Sequence, residues 1–312
     1  MVRALITGGT GFLGSYMAQY LAEEGVEVTA TRFPGLSTPA ASTRQTLGAE
    51  LLDVTDREAV KRVVERVHPD FVYHFAGQAF VIPSWADPAG TFTTNLMGTL
   101  NLLEAVRHST PRAAVGFAGS GTEYGAPDHV PTSEDSPLRP TSPYAASKAA
   151  ADLLCYQYFA SFGVRVVRYR IFGTTGPGKR GDSTNDFASQ VAEAERRPPP
   201  GTIRVGNLDK ERDITDVRDA VRAMAVVCER GEPGQAYNIG SGISRNVRAT
   251  LDTLLSLARI PIVVQPDPSR IRLVDEPVHL ADVSRLRGLG WTPRIPFEQT
   301  LRDILDHWRG ST

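Results

Sequence analysis

The stretch TGGTGFLG, residues 7–14, constrains this chain more than any other feature. It follows a short apolar run, VRALIT (2–7), and opens GSYMAQYLAEEG (14–25), whose apolar residues recur at helical spacing. A strand, a glycine turn and a helix in that order predict a dinucleotide-binding unit. Gly8 permits the tight turn, Gly11 lets the backbone approach a pyrophosphate at the helix N-terminus, and Gly14 lets helix and strand pack closely. The plainer reading, a glycine-rich turn with no ligand, is weakened by this placement.

The same alternation continues. Short β-branched runs at 26–31, 70–75, 112–118 and 164–171 are separated by helical patterns at 57–67, 95–109 and 147–163, and Gly25 and Gly163 stand where helix stops belong. The runs are almost continuously apolar, as strands buried on both faces are. The expected fold is therefore α/β, a doubly wound parallel sheet of the Rossmann type. Beyond Phe172 the texture changes to GTTGPGKRGD, RRPPPG and GNLDKERD, loops suited to carrying a site. A helix and strand at 214–231 and 236–240 then resemble a return to the first lobe. The expected division is a dinucleotide-binding domain over 1–172, rejoined by 214–240, and a second, smaller α/β substrate-binding lobe from 173–213 and 241–312. A chain of 312 residues has room for both.

A formal net charge of -1 offers no basic excess to attract nucleic acid, and no apolar run approaches the ~20 residues of a membrane span. The first apolar run begins at Val2, which leaves no room for the charged and apolar regions of a signal peptide. Cys155 and Cys228 read as buried free thiols, and the six histidines lack paired ligand spacing. A cytoplasmic protein without a structural metal is expected.

The end of the second strand selects the dinucleotide, because an acid there accepts hydrogen bonds from the adenosine ribose and an arginine accommodates a 2′-phosphate. VTATRF supplies Thr31 and Arg32 and no acid, so NADP(H) is favoured over NAD(H). Asp53 in LLDVTD either meets the adenine edge or caps the helix beginning near Asp56. In SPYAASK (142–148), Tyr144 and Lys148 lie four apart on one helical face. A nearby ammonium favours the phenolate, so the pair predicts a phenol with lowered pKa that exchanges a proton with a carbonyl oxygen. Alone the spacing is common; with the glycine turn and an upstream serine it becomes specific.

These motifs, with HFAGQA (74–79), the NLMGT segment containing Asn95, and VGNLDKERDITDVRD (205–219), resemble the extended short-chain dehydrogenase/reductase family, the NAD-dependent epimerases and dehydratases of nucleotide-linked sugars. The likeness spans essentially the whole chain. Its nearest members are GDP-4-keto-6-deoxy-mannose reductases and GDP-mannose 4,6-dehydratases, and DFASQVAEAE (186–195) and the ending LGWTPRIPFEQTLRDILDHWR (289–309) look most like the reductases. The resemblance implies Ser120, Thr122, Tyr144 and Lys148 as the catalytic set. Ser120 would hydrogen-bond the sugar C4 oxygen, Tyr144 protonate it, and Lys148 tune the tyrosine and hold the nicotinamide ribose. It implies Gly8, Gly11, Phe12, Leu13, Arg32, Asp53, Val54, Phe75, Ala76, Gly77, Asn95, Tyr144 and Lys148 for the cofactor. For a nucleotide-diphosphate sugar, most simply GDP-linked, it implies Gln78, Ser120, Lys179, Asn185, Val205, Arg212, Arg272 and Asp275, with Arg180 adding charge. It also implies a homodimer through a four-helix bundle of the helices at 95–109 and 147–163. One departure stands out: reductases usually carry Asn and His where this chain has Gly173 and Thr174.

The stretch SGTEYG (120–125) bears on the reaction. In the family's dehydratases an acid stands three residues before the turn glycine; here that slot is Thr122, and Glu123 comes one residue late. If the segment is extended, Ser120 and Thr122 face one way and Glu123 the other. The expected activity is thus NADPH-dependent reduction of a nucleotide-linked 4-keto-6-deoxy sugar. A 4-epimerase, a 4,6-dehydratase and a redox-sensing binding protein that has lost its chemistry are the rivals.

Overall fold

The computed structural model describes residues 1–35, 48–270 and 277–310. In chain order the strands are β1 (Arg3–Thr7), β2 (Glu27–Arg32), β3 (Glu50–Leu51), β4 (Phe71–His74), β5 (Ala114–Ser120), β6 (Val166–Ile171) and β7 (Gly173–Thr175). Six more follow: β8 (Gly201–Val205), β9 (Glu211–Asp216), β10 (Ala236–Ile239), β11 (Ser244–Asn246), β12 (Ile262–Pro266) and β13 (Val278–His279). The helices are α1 (Phe12–Glu23), α2 (Arg57–Val67), α3 (Val81–Ala86), α4 (Pro88–Phe92), α5 (Gly98–Ser109) and α6 (Pro143–Phe162). Then come α7 (Ser183–Ala194), α8 (Val217–Arg230), α9 (Val247–Ser256), α10 (Ser284–Gly288) and α11 (Phe297–Gly310).

Seven strands form one parallel sheet in the order β10-β6-β5-β4-β1-β2-β3. The order reverses at β1, so the loops after β1 and β4 diverge and open a crevice at the carboxyl edge. The apolar runs fill both faces as expected. Ala4 and Ile6 pack on one side with α1 and α8, while Leu5 packs on the other with α2 and α5. Leu5 and Ile6 each contribute about 1.5–3 kcal/mol by leaving water.

Local chemistry sets the helix ends. Asp56 caps α2 by accepting from Ala59 N, and Ser142 caps α6 with Pro143 behind it. α6 stops at Gly163, whose φ of 68° suits a residue without Cβ. Segment 236–239 joins the large sheet as its edge strand β10, and α8 packs on α1. A second core, with Phe187, Ile203, Leu251, Leu301 and Ile304, lies among α7, α9, α11 and β8. Beside it β9 pairs with β7, β11 and β13. Ala281, Val283, Leu286 and Trp291 pack back onto the core of the large sheet.

Candidate active site

The glycine turn between β1 and α1 is built of bare backbone. Gly8 has φ 69°, and a Cβ on Gly14 would stand 2.3 Å from the Gly8 carbonyl oxygen. No side chain caps α1, and its first turn holds no acidic residue. The partial positive charge of that terminus is left for an incoming anion, so the turn fits a dinucleotide pyrophosphate. Gly9 N–H donates to Thr31 O at 2.7 Å, which ties the turn to the end of β2 where Arg32 stands. Phe12 and Leu13 open α1, half-buried. Phe75 and Ala76 follow β4, and their N–H groups meet Thr7 O at 3.1 Å and Thr7 Oγ1 at 3.4 Å.

Other members of the expected cofactor set have local roles. Asp53 does not cap α2, which Asp56 does; its Oδ1 accepts from Thr55 N–H and Oγ1 at 2.9 and 2.7 Å. Val54 is buried. Asn95 lies in a π-helical turn, Thr93–Met97, a feature frequent at functional sites. Its amide accepts from Gln78 N–H at 2.8 Å and donates to Gln78 O and Ser147 Oγ. Ser147 Oγ in turn donates to Tyr144 O, so Asn95 fixes the loop of Gly77 and Gln78 against α6.

The catalytic candidates converge as the sequence predicts. Ser120 ends β5, and Tyr144 and Lys148 lie in the first turns of α6. Tyr144 N–H is anchored by Ser84 Oγ at 3.1 Å, and Ser120 reaches Thr122 Oγ1 at 2.9 Å. The expected lowering of the tyrosine pKa is absent. Burial pushes the phenol up to about 12, against a hydrogen bond with Ser120 and with help from the Glu123 charge. The Lys148 ammonium instead donates to Ala118 O at 2.9 Å, and burial holds it down to about 8. A phenol so held stays protonated through the neutral range and can act as a proton donor.

The Glu123 side chain is turned inward, and the segment that carries it is not extended. Gly121–Tyr124 is a 3-10 turn, in which Glu123 Oε1 turns back to accept from Ser120 N–H at 2.6 Å. The carboxyl is fully buried.

The expected substrate residues divide. Arg212 lies on β9 and donates to Glu211 O at 2.8 Å. Gln78 spends its amide on the backbone of Phe80. Lys179 lies beside the cofactor turn, with Nζ 5.5 Å above the Phe12 ring and 3.9 Å from Asp182. Asn185 and Val205 are engaged by their own surroundings. Both N–H groups of the Asn185 amide are used on Thr175 Oγ1 and Gly176 O, and its oxygen accepts from Trp308, so it braces the second lobe. Val205 is a core residue of that lobe. Arg272 and Asp275 lie outside the described residues, and Arg180 is exposed.

Gly173 has a physical reason to replace asparagine: any Cβ there would stand 2.3 Å from Asp213 O, where β7 pairs with β9. His279, which sequence reasoning missed, stacks on Phe172 at 4.4 Å and lies against Gly121 of the serine turn. Burial and the Arg212 charge keep its ring neutral, with pKa about 4. A lone histidine in EPVHLAD gives no signal; the pairing of β13 with β9 brings it there.

A glycine turn on a Rossmann sheet with Ser120, Tyr144 and Lys148 beside it defines an NAD(P)-dependent oxidoreductase of the extended short-chain dehydrogenase/reductase type. The chain belongs to the GDP-mannose 4,6-dehydratase family, whose model matches residues 5–304. It is 32% identical to the GDP-6-deoxy-D-mannose reductase of Pseudomonas aeruginosa, over 98% of this chain and 97% of that one. A GDP-mannose 4,6-dehydratase of Vibrio cholerae is 27% identical, over 97% and 92%. Among solved structures, RMD from P. aeruginosa complexed with NADPH superposes with TM-score 0.87 at 30% identity, covering both chains entirely. The UDP-glucose 4-epimerase of Thermus thermophilus in complex with NAD also superposes with TM-score 0.87, at 32% identity and full coverage.

Proposed function

We propose that this protein is an NADPH-dependent reductase of the 4-keto group of a nucleotide-linked 4-keto-6-deoxy sugar, GDP-linked as in GDP-4-keto-6-deoxy-mannose. The observation that carries this is the direction of Glu123. Removal of water needs an acid over the sugar, and here the carboxyl is buried on the Ser120 N–H while hydroxyls of Ser120 and Thr122 remain. The likeness to the P. aeruginosa reductase supports the same choice.

The glycine turn, Arg32, Lys148 and the loop after β4 would hold the dinucleotide. When bound, the nicotinamide supplies the hydride. Tyr144, protonated through the neutral range, gives its proton to the C4 oxygen, and Ser120 donates a hydrogen bond to the same oxygen. Arg212, with Arg272, is proposed to bind the diphosphate, and Asp275 the ribose hydroxyls. Arg32 at the end of β2 favours NADP(H) over NAD(H).

α6 exposes Leu153, Tyr156 and Phe162, which supports a homodimer through a four-helix bundle of α5 and α6. No helix among the described residues is long and apolar enough to cross a membrane. A cytoplasmic location is proposed on the unpaired Cys155 and Cys228.

The test mixes the protein with NADPH and a panel of GDP-, dTDP- and UDP-linked 4-keto sugars and follows loss of the reduced cofactor's absorbance. Oxidation with a GDP-linked ketone supports the reading. Turnover only of a nucleotide 4-hydroxy sugar without net cofactor change would transfer the assignment to the epimerase, and release of a 4-keto-6-deoxy product from GDP-mannose to the dehydratase.

A further inference from the structure

Beneath the catalytic trio lies a carboxyl without a role in the reaction described so far. Glu123 Oε1 accepts from Ser120 N–H at 2.6 Å, while Ser120 Oγ accepts from Thr122 N–H at 3.3 Å, so the turn is capped from both directions. Glu123 Oε2 is buried without a hydrogen-bond partner, 3.7 Å from Arg170 Nε. Solvation alone would not leave an acid in such a place, since burying an incompletely paired carboxylate is costly.

The groups that face it are few. From β6 comes Arg170, whose guanidinium also bonds Asp152, Tyr124 and Glu134 O. From α6 come Asp152, itself bonded by Arg168 at 2.6 Å, together with Lys148, Tyr144 and Cys155. From its own turn comes Tyr124. One guanidinium is thus divided between two carboxyls.

We propose that Glu123 is a positioning residue for the reduction proposed above: its carboxyl fixes Ser120 through the Ser120 N–H, and its charge steadies the Lys148 ammonium, which donates to Ala118 O two residues back along the same strand. Burial and the neighbouring Asp152 hold the Glu123 carboxyl far above the ordinary carboxylate range. Its charge therefore develops on the alkaline side, where Lys148, held near 8 by burial, begins to lose its proton and where Glu123 pulls it back up. Turnover that needs the ammonium falls as pH rises through that value. Without the Glu123 charge the fall comes earlier.

Glu123→Gln keeps an oxygen for the Ser120 N–H and removes only the charge. The alkaline limb of its kcat profile is expected to move toward neutral pH by about one unit, the lower end for a neighbouring opposite charge. Glu123→Asp keeps a charge and should bring the limb back toward the parent's. Glu123→Ala also removes the oxygen and should lower kcat about tenfold or more at every pH. A Gln variant whose limb superposes on the parent's overturns the charge role. NMR titration of Lys148, assigned with Lys148→Met, reads the same ammonium without turnover: a lower midpoint in the Gln variant upholds the coupling, and an unchanged one refutes it. A parent that reduces no nucleotide 4-keto sugar would defeat the assigned reaction alone, and the NMR midpoint would still decide between these outcomes.

Discussion

Two tight turns stand at the carboxyl edge of the same sheet. The turn after β1 presents backbone, and the turn after β5 presents side chains. In the first, Gly8 and Gly14 approach so closely that no other residue fits, and the ligand meets an uncapped helix end. In the second, the hydroxyls of Ser120 and Thr122 meet each other while Glu123 reaches back to the Ser120 N–H, among Arg170, Asp152 and Lys148. A turn that works with its backbone needs only the right residue type in place. One that works with hydroxyls depends on what is packed under it.

The sharpest test of that contrast is Tyr144→Phe, which leaves the glycine turn intact and removes the proton donor. A loss of roughly 10²–10⁴-fold in kcat is expected with dinucleotide affinity retained, measured by steady-state kinetics and fluorescence titration. Gly14→Ala should do the reverse. Forcing a methyl against the Gly8 carbonyl costs about 1–3 kcal/mol, seen as a lower Tm and weaker NADPH binding, with kcat at saturating cofactor much less affected. Arg32→Ala acts at the margin of the same turn and should reduce the preference for NADPH over NADH about tenfold in kcat/KM, the size of a lost charge-assisted contact. Smallest is Asn185→Ala, expected to lower stability by about 1 kcal/mol in a denaturant titration while leaving the KM for the sugar nucleotide alone. A large rise in that KM would return Asn185 to the substrate site.

The strands and helices of the large sheet were legible because their apolar periodicity carries both the element and the buried face. The glycine turn was legible because close approach leaves no alternative residue. Tyr144 and Lys148 were legible as a pair, since four residues on a helix share a face, yet their electrostatics were not. The spacing predicted a phenol eased by an ammonium, whereas burial dominates and Lys148 turns to the Ala118 carbonyl. At Glu123 the expected alternation along a strand gave way to a 3-10 turn with a reciprocal cap. The partners that hold Asn185 and Val205, Trp308 and the second core, were not legible, because they lie far away in sequence.

From the sequence alone came the parallel sheet, the dinucleotide turn, the absence of an acid at the end of β2 and the residues able to move a proton. These depend on local spacing, steric size and side-chain chemistry, all of which a linear chain records. Only the tertiary structure decided which way the Glu123 carboxyl turns, that no side chain fits at Gly173, and that His279 stands against the serine turn. The last two rest on contacts between segments separated by tens of residues, and the first on a cap three residues long that is packed over Arg170 and Asp152.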